Sequence, residues 1–175
     1  GMTILQRILL FPVFWVFHIP ARLLVLLIPV FYFGFGLEPL QNVRGLDLLF
    51  WQIPLLALGW SSSLFYLGLN GMPILNDGAA ILVSLRLTPT VVSSLIKPFG
   101  QPFKVTPKGS LTGGAGVSYS EAAVIAVLMA ASLVGLWFNI SSDTRIIEDD
   151  SFLVAGAIWT AFNMTTLTIA FLICF

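Results

Sequence analysis

Long apolar runs separated by short polar segments dominate this 175-residue chain. Four of the runs have about the 20 residues that a helix needs to cross the hydrocarbon core of a bilayer. They cover residues 19–37, 46–69, 122–140 and 152–175. The pattern therefore predicts an all-α membrane protein with about four transmembrane helices, two within residues 19–69 and two within residues 119–175.

Two further segments are apolar in part but do not have the pattern of a span. Residues 1–18 hold a short run that prolines interrupt, which predicts an interfacial lead-in. In residues 70–97, apolar side chains recur at three-, four- and seven-residue intervals, which predicts an amphipathic helix in the membrane interface. Thr88 and Pro89 have the pattern of an N-cap and a first helical residue, so we expect this helix to be divided there.

A proline- and glycine-rich segment, residues 98–118, separates this helix from the third span. Its three prolines and five glycines predict a loop. Ser118 and Glu121 then have the spacing of a capping box, which predicts that a helix begins there. Within that helix, alanines repeat every four residues at positions 122, 126 and 130, a pattern that favours close approach of a neighbouring helix.

Composition and charge support a membrane location. The chain is 58% hydrophobic and 9% charged, with a mean hydropathy of +0.99, whereas about a quarter of the residues are charged in soluble domains. The net charge is zero, so the expected partner is membrane lipid and not nucleic acid. With the loop inside, the basic residues follow the positive-inside rule, which predicts that both termini are cytoplasmic. Arg22, near the start of the first predicted span, is expected to snorkel towards headgroups.

The sequence offers few residues for metal or disulfide chemistry. Cys174 is the single cysteine and lies in an apolar run, so it is expected to pack as a small hydrophobic residue. His18 is the single histidine and has no second metal ligand near it in the sequence. No metal site is predicted in this chain.

The loop carries the pattern F-x-V-T-x-K, formed by Phe103, Val105, Thr106 and Lys108. This pattern resembles the gating-loop motif of bacterial cellulose synthase catalytic subunits, which are processive family 2 glycosyltransferases. The order of segments is also similar, since an interfacial helix precedes the loop in that family and two membrane spans follow it. The resemblance extends from about residue 8 to the end of the chain and implies a bacterial inner-membrane protein.

The resemblance implies that these loop residues bind a UDP-sugar. Lys108 would offset the charge of the diphosphate and Thr106 would donate a hydrogen bond to a phosphate oxygen. Phe103 would cover the uracil or the sugar, with Val105 packing beside it, while the loop excludes water.

The resemblance also implies a path for the nascent glucan along the first two spans. Trp15 and Tyr32 would be stacking platforms for pyranose rings, and Glu38 matches a family position near the exit of the channel.

The catalytic motifs of the family are not present in this chain, so no catalytic residue is predicted. The resemblance implies a separate glycosyltransferase domain that binds Mg²⁺ or Mn²⁺, and a periplasmic synthase subunit as a further possible partner. Two simpler interpretations stay open at this point. Loop lysines commonly contact lipid headgroups, and aromatic side chains gather at membrane interfaces. The alternative function is therefore a small, non-enzymatic membrane protein that acts as an accessory or in transport.

Overall fold

The computed structural model describes residues 3, 13–40, 43–68, 72–97, 117–140, 144–147 and 152–175, with only the backbone of residues 13–17. These residues form five helices and no strand. The helices are α1 (Val13–Phe35), α2 (Gly45–Leu67), α3 (Pro73–Ile96), α4 (Tyr119–Ile140) and α5 (Leu153–Ile173). The predicted all-α class is confirmed.

Four of the described helices, α2 to α5, are long and apolar enough to cross a membrane. In α1, the stretch Ile19–Phe35 is apolar but shorter. The predicted multi-pass architecture is thereby confirmed, although α3 is among the four candidates where the sequence predicts an interfacial helix. The interfacial position of residues 70–97 and of residues 1–18 stays a prediction.

Helix α3 is continuous through Thr88 and Pro89, so the predicted division of this segment is wrong. The hydroxyl of Thr88 donates to the backbone oxygen of Ser84, 2.6 Å away, inside the helix and not at an N-cap. A proline removes one backbone donor, and packing of the preceding turns on neighbouring helices offsets that loss. Burial does change at this point: the buried residues of α3 lie between Gly78 and Ser84, whereas nearly all of residues 89–97 are exposed.

Helix α5 is the centre of the bundle and contacts each of the other four described helices. Helix α2 is the most peripheral, since in the described chain it packs against α3 and α5 only. The main core is apolar and joins α1, α3, α4 and α5. Its buried members are Leu26, Ile81, Leu82, Ala122, Ile125, Leu167, Ala170 and Cys174. The expectation that Cys174 packs as a small buried residue is confirmed.

Glycines set the closest helix contacts. A Cβ at Gly78 of α3 would lie 2.5 Å from Cγ2 of Ile169, so only glycine fits against α5 at this point. On the other side of the bundle, the Phe33 side chain lies between Gly135 of α4 and Gly156 of α5, and a Cβ at either glycine would come within 3.0 Å of it. Phe33 is fully buried as a result.

The alanine repeat of α4 does not form the predicted contact face. Ala122 is buried, but Ala126 and Ala130 are exposed. An α-helix has 3.6 residues per turn, so a four-residue repeat moves about 40° around the helix at each step. The face that packs on the bundle instead follows steps of three, four or seven residues, through Ile125, Ser132, Gly135 and Asn139.

Asn139 closes the end of the bundle at which α1 ends and α5 begins. Its amide nitrogen donates to the backbone oxygens of Phe33 and Gly135, both at 2.8 Å. Its amide oxygen accepts from the backbone nitrogens of Ile146 and Ile147, at 3.1 and 3.0 Å. One buried side chain thus joins α1, α4 and the connection that leads to α5, with all four bonds made.

Candidate functional site

A cluster of polar side chains lies among the apolar helices. Arg22 of α1 and Asp77 of α3 form an ion pair, with 3.6 Å between Nη1 and Oδ1. Trp60 of α2 approaches the same carboxylate, its Nε1 lying 3.4 Å from Oδ2. His18 lies one turn before Arg22 and its Nε2 is 3.2 Å from Nη2, in position to accept a hydrogen bond. Three helices therefore converge on one carboxylate.

This cluster lies halfway along the bundle. Arg22 is nine residues into α1, because the helix begins at Val13 and not at the predicted residue 19. It therefore lies farther from the helix end than predicted, and its snorkelling towards headgroups stays a prediction. Its neighbours on α5 are Asn163 and Thr166, and Asn163 is ten residues from either end of that helix. At 1.5 Å per residue this is about 15 Å from each end of α5. If α5 crosses a bilayer, this level is the middle of a hydrocarbon core about 30 Å thick, where ionisable residues are costly and commonly mark functional sites.

A cavity of about 280 Å³ opens beside the ion pair, and we call it the Arg22 cavity. Its polar lining residues are His18, Arg22, Asp77, Trp159, Asn163 and Thr166. Asn163 is 2% exposed, and its amide nitrogen has no hydrogen-bond partner among the described residues. The side chains of Arg22 and Asp77 remain 25% and 34% exposed. Both charged side chains line the cavity, so the ion pair borders it halfway along the bundle.

A second cavity of about 390 Å³, the Tyr32 cavity, lies nearer the Asn139 end of the bundle. Its wall is largely apolar and includes three aromatic side chains, Tyr32, Phe152 and Trp159, and Gln52 of α2 adds a polar side chain. The rings of Tyr32 and Phe152 meet edge to face, with centroids 6.3 Å apart. Val25 and Trp159 line both cavities, so the two adjoin along the groove between α1 and α5.

The structure places one of the predicted channel residues in this groove. Tyr32 lines the cavity and is 3% exposed. Glu38 is exposed beyond the end of α1, next to Pro39 and Leu40, which do line the Tyr32 cavity. Trp15 belongs to α1, and its side chain lies outside the described residues.

The predicted gating-loop residues cannot be placed. Phe103, Val105, Thr106 and Lys108 all lie outside the described residues. Their roles stay predictions that rest on the sequence motif.

The helices on either side of that segment, α3 and α4, are joined by an ion pair. Arg86 of α3 binds Glu121 of α4, with 2.9 Å between Nε and Oε1, and its Nη2 donates to the hydroxyl of Ser118. Helix α4 does begin directly after Ser118, as predicted. The predicted capping box is wrong, however, because the backbone N–H of Ser118 donates to the backbone oxygen of Cys174, 3.0 Å away, and not to Glu121. The side chains of Ser118 and Glu121 pair with Arg86 instead.

Sequence reasoning missed the partners of Arg22. Asp77 is 55 residues from Arg22 along the chain and Trp60 is 17 residues from Asp77. The available signal was two opposite charges in apolar segments, since a charge within the membrane commonly pairs with another. Nothing in the sequence indicates which depth Asp77 would have, because that depends on how α3 packs on α5.

Comparisons with protein-family models, with curated proteins and with solved structures gave no match to this chain.

Proposed function

We propose that this chain is the membrane-channel and gating-loop portion of a processive polysaccharide synthase that makes a cellulose-like β-1,4-glucan. A separate glycosyltransferase domain, with Mg²⁺ or Mn²⁺, would polymerise the UDP-sugar. The membrane helices would carry the nascent chain across a bacterial inner membrane, with both termini in the cytoplasm. The sequence motif of Phe103, Thr106 and Lys108 is the basis for the loop part of this proposal.

The Tyr32 cavity is the structural observation that supports the channel part. Pyranose rings present C–H faces that pack well on aromatic side chains, and their hydroxyl groups need a few polar partners. Tyr32, Phe152 and Trp159 supply the aromatic surface, and Gln52 supplies an amide that can donate and accept. A cavity of about 390 Å³ lies within the usual range for small-ligand sites, about 300–1,000 Å³.

Oligosaccharide binding tests the channel part directly. The purified chain in lipid nanodiscs is titrated with cellopentaose while tryptophan fluorescence is recorded. We expect a saturable change, because Trp159 lines the cavity. The change should be lost in Trp159→Phe and weakened at least tenfold in Tyr32→Ala. Trp51→Phe is the matched control, because Trp51 is 69% exposed and is not among the residues lining this cavity.

The linkage of the sugar provides the second control. Maltopentaose has the same composition but α-1,4 linkages, so its chain curves and should not lie along a straight groove. Equal responses to the two sugars, or a response to cellopentaose that survives Trp159→Phe, would contradict the proposal.

A transport or accessory function is the second candidate, and the Arg22–Asp77 pair favours it. Paired charges at mid-depth are typical of proteins that move polar solutes across membranes. Failure of every oligosaccharide to bind, with the helices intact, would favour this second function.

A further inference from the structure

We propose that the Arg22 cavity is a hydrated site inside the membrane, in which the Arg22–Asp77 pair holds water. The ligand class is water itself, and the inference goes beyond the proposed glucan path because it holds for either candidate function.

The partial exposure of the ion pair is the first observation. Both side chains line the cavity and are 25% and 34% exposed, and the single contact between their charged atoms is long, at 3.6 Å. A guanidinium group has five N–H donors and a carboxylate has four lone-pair sites. The contacts to Trp60 and to the backbone oxygen of Asp77 are also long, at 3.4 and 3.5 Å, and Arg22 has one shorter described contact, with Nε2 of His18 at 3.2 Å. The protein therefore leaves much of the hydrogen-bonding capacity of this pair to another molecule.

The chemistry of the cavity wall shows which molecule fits. The pair is neutral in sum, so a charged ligand would meet one charge of its own sign. Arg22 requires oxygen acceptors and Asp77 requires donors, and water supplies both in the smallest volume. The indole nitrogen of Trp159 and the amide nitrogen of Asn163 are two further buried donors without a described partner in the same wall. Acyl chains of lipid could satisfy none of these groups.

The size of the cavity allows several water molecules. Its volume is about 280 Å³, whereas one water molecule occupies about 30 Å³ in the liquid. Buried water in proteins typically makes about three hydrogen bonds to polar groups that lack other partners. Both requirements for a stable hydrated cavity, room and polar partners, are met.

Two neighbouring residues on α1 provide a matched test. Val25 lines the cavity and is 38% exposed. Leu24 lines neither cavity and is 62% exposed, and it lies at the same depth to within about 1.5 Å. In a background with Cys174→Ser, which removes the single cysteine, each residue is replaced by cysteine. The chain in lipid nanodiscs is then treated with a charged, membrane-impermeant methanethiosulfonate, and modification is followed by mass spectrometry.

Because only the thiolate reacts and it forms in water, Val25→Cys should be modified at least tenfold faster than Leu24→Cys. Equal slow rates would overturn the proposal, since the cavity would then be dry or filled by lipid. Equal fast rates would overturn it too, since water would then reach the whole face of α1. In detergent-unfolded chains the two cysteines should react alike, which controls for intrinsic reactivity.

A third variant tests whether the ion pair holds the water. The double substitution Arg22→Leu with Asp77→Leu replaces both charges together, because a single substitution would leave one charge unpaired. Circular dichroism checks that the helices remain. In this background the rate at Val25→Cys should fall to that at Leu24→Cys. An unchanged rate would overturn the proposal, because the pair would not be what holds the water.

Discussion

The two buried asparagines, Asn139 and Asn163, should differ sharply when each is replaced by alanine. Both are almost fully buried, at 4% and 2% exposed. Asn139 makes four hydrogen bonds that join three segments of the chain, whereas the amide nitrogen of Asn163 has no partner among the described residues. The two asparagines are buried almost equally, so any difference in the unfolding free energy that their substitutions remove should come from hydrogen bonding.

The loss of unfolding free energy in Asn139→Ala can be estimated from the backbone groups that lose their hydrogen bond to Asn139. The Ile147 backbone is buried, so its orphaned N–H costs about 1–3 kcal/mol. The backbone oxygen of Phe33 loses its contact with α4, which costs about 1 kcal/mol. Ile146 is 44% exposed, so solvent can replace its bond, and Gly135 is an ordinary helix carbonyl. The sum is roughly 2–4 kcal/mol of unfolding free energy.

Reversible unfolding in mixed micelles, with increasing sodium dodecyl sulfate and helix content as the readout, measures these losses. Asn139→Ala should lower the unfolding free energy by the amount above, and Asn163→Ala should lower it by less than half of that amount. Asn76→Ala is the control for the substitution itself, because Asn76 is exposed on α3. A loss below about 1 kcal/mol at position 139, or equal losses at 139 and 163, would refute the reasoning from hydrogen bonds.

Two further predictions concern helix packing and the loop. Gly78→Val should lower the unfolding free energy by about 1–3 kcal/mol, because the new side chain would overlap Ile169, whereas Gly59→Val should be far milder, since nothing lies within 4 Å of a Cβ there. The loop is tested by calorimetry of UDP binding to the glycosyltransferase domain that the synthase proposal requires. Addition of this chain should increase the affinity for UDP, and Lys108→Ala should abolish that increase. An affinity that the chain does not change would contradict the role of the loop.

Three of the five described helices could be predicted closely from hydropathy alone. Three predicted spans, residues 46–69, 122–140 and 152–175, match α2, α4 and α5 to within three residues. This works because a bilayer demands that each spanning backbone satisfies its own hydrogen bonds over a length fixed by the membrane. Hydropathy is averaged over a stretch of consecutive residues, so this prediction does not require knowledge of which helices pack together.

The contacts between helices could not be predicted in the same way. The alanine repeat of α4 and the Ser118–Glu121 spacing are local patterns, and both gave the wrong contact. For Ser118 and Glu121 a residue more than 30 positions away decides the outcome, because Arg86 binds both side chains. For the alanine repeat, the buried face of α4 follows the packing of α4 on the bundle. Tyr32 was predicted as a site residue and does line a cavity, whereas its role in binding glucan stays a prediction.

Helix α3 shows why the candidate site itself was missed. An amphipathic sequence favours the membrane interface and a groove between helices equally, because both offer one apolar and one polar side. In the structure the first half of α3 packs in the bundle, because the missing side chain of Gly78 lets the backbone reach Ile169 of α5. That contact brings Asp77 to the level of Arg22, its partner in the ion pair. If the whole of α3 lay in the interface, Arg22 would be left as a single charge among apolar helices, which is costly. The ion pair and the glycine contact therefore support each other, and the position of α3 against α1 and α5 is a consequence of both.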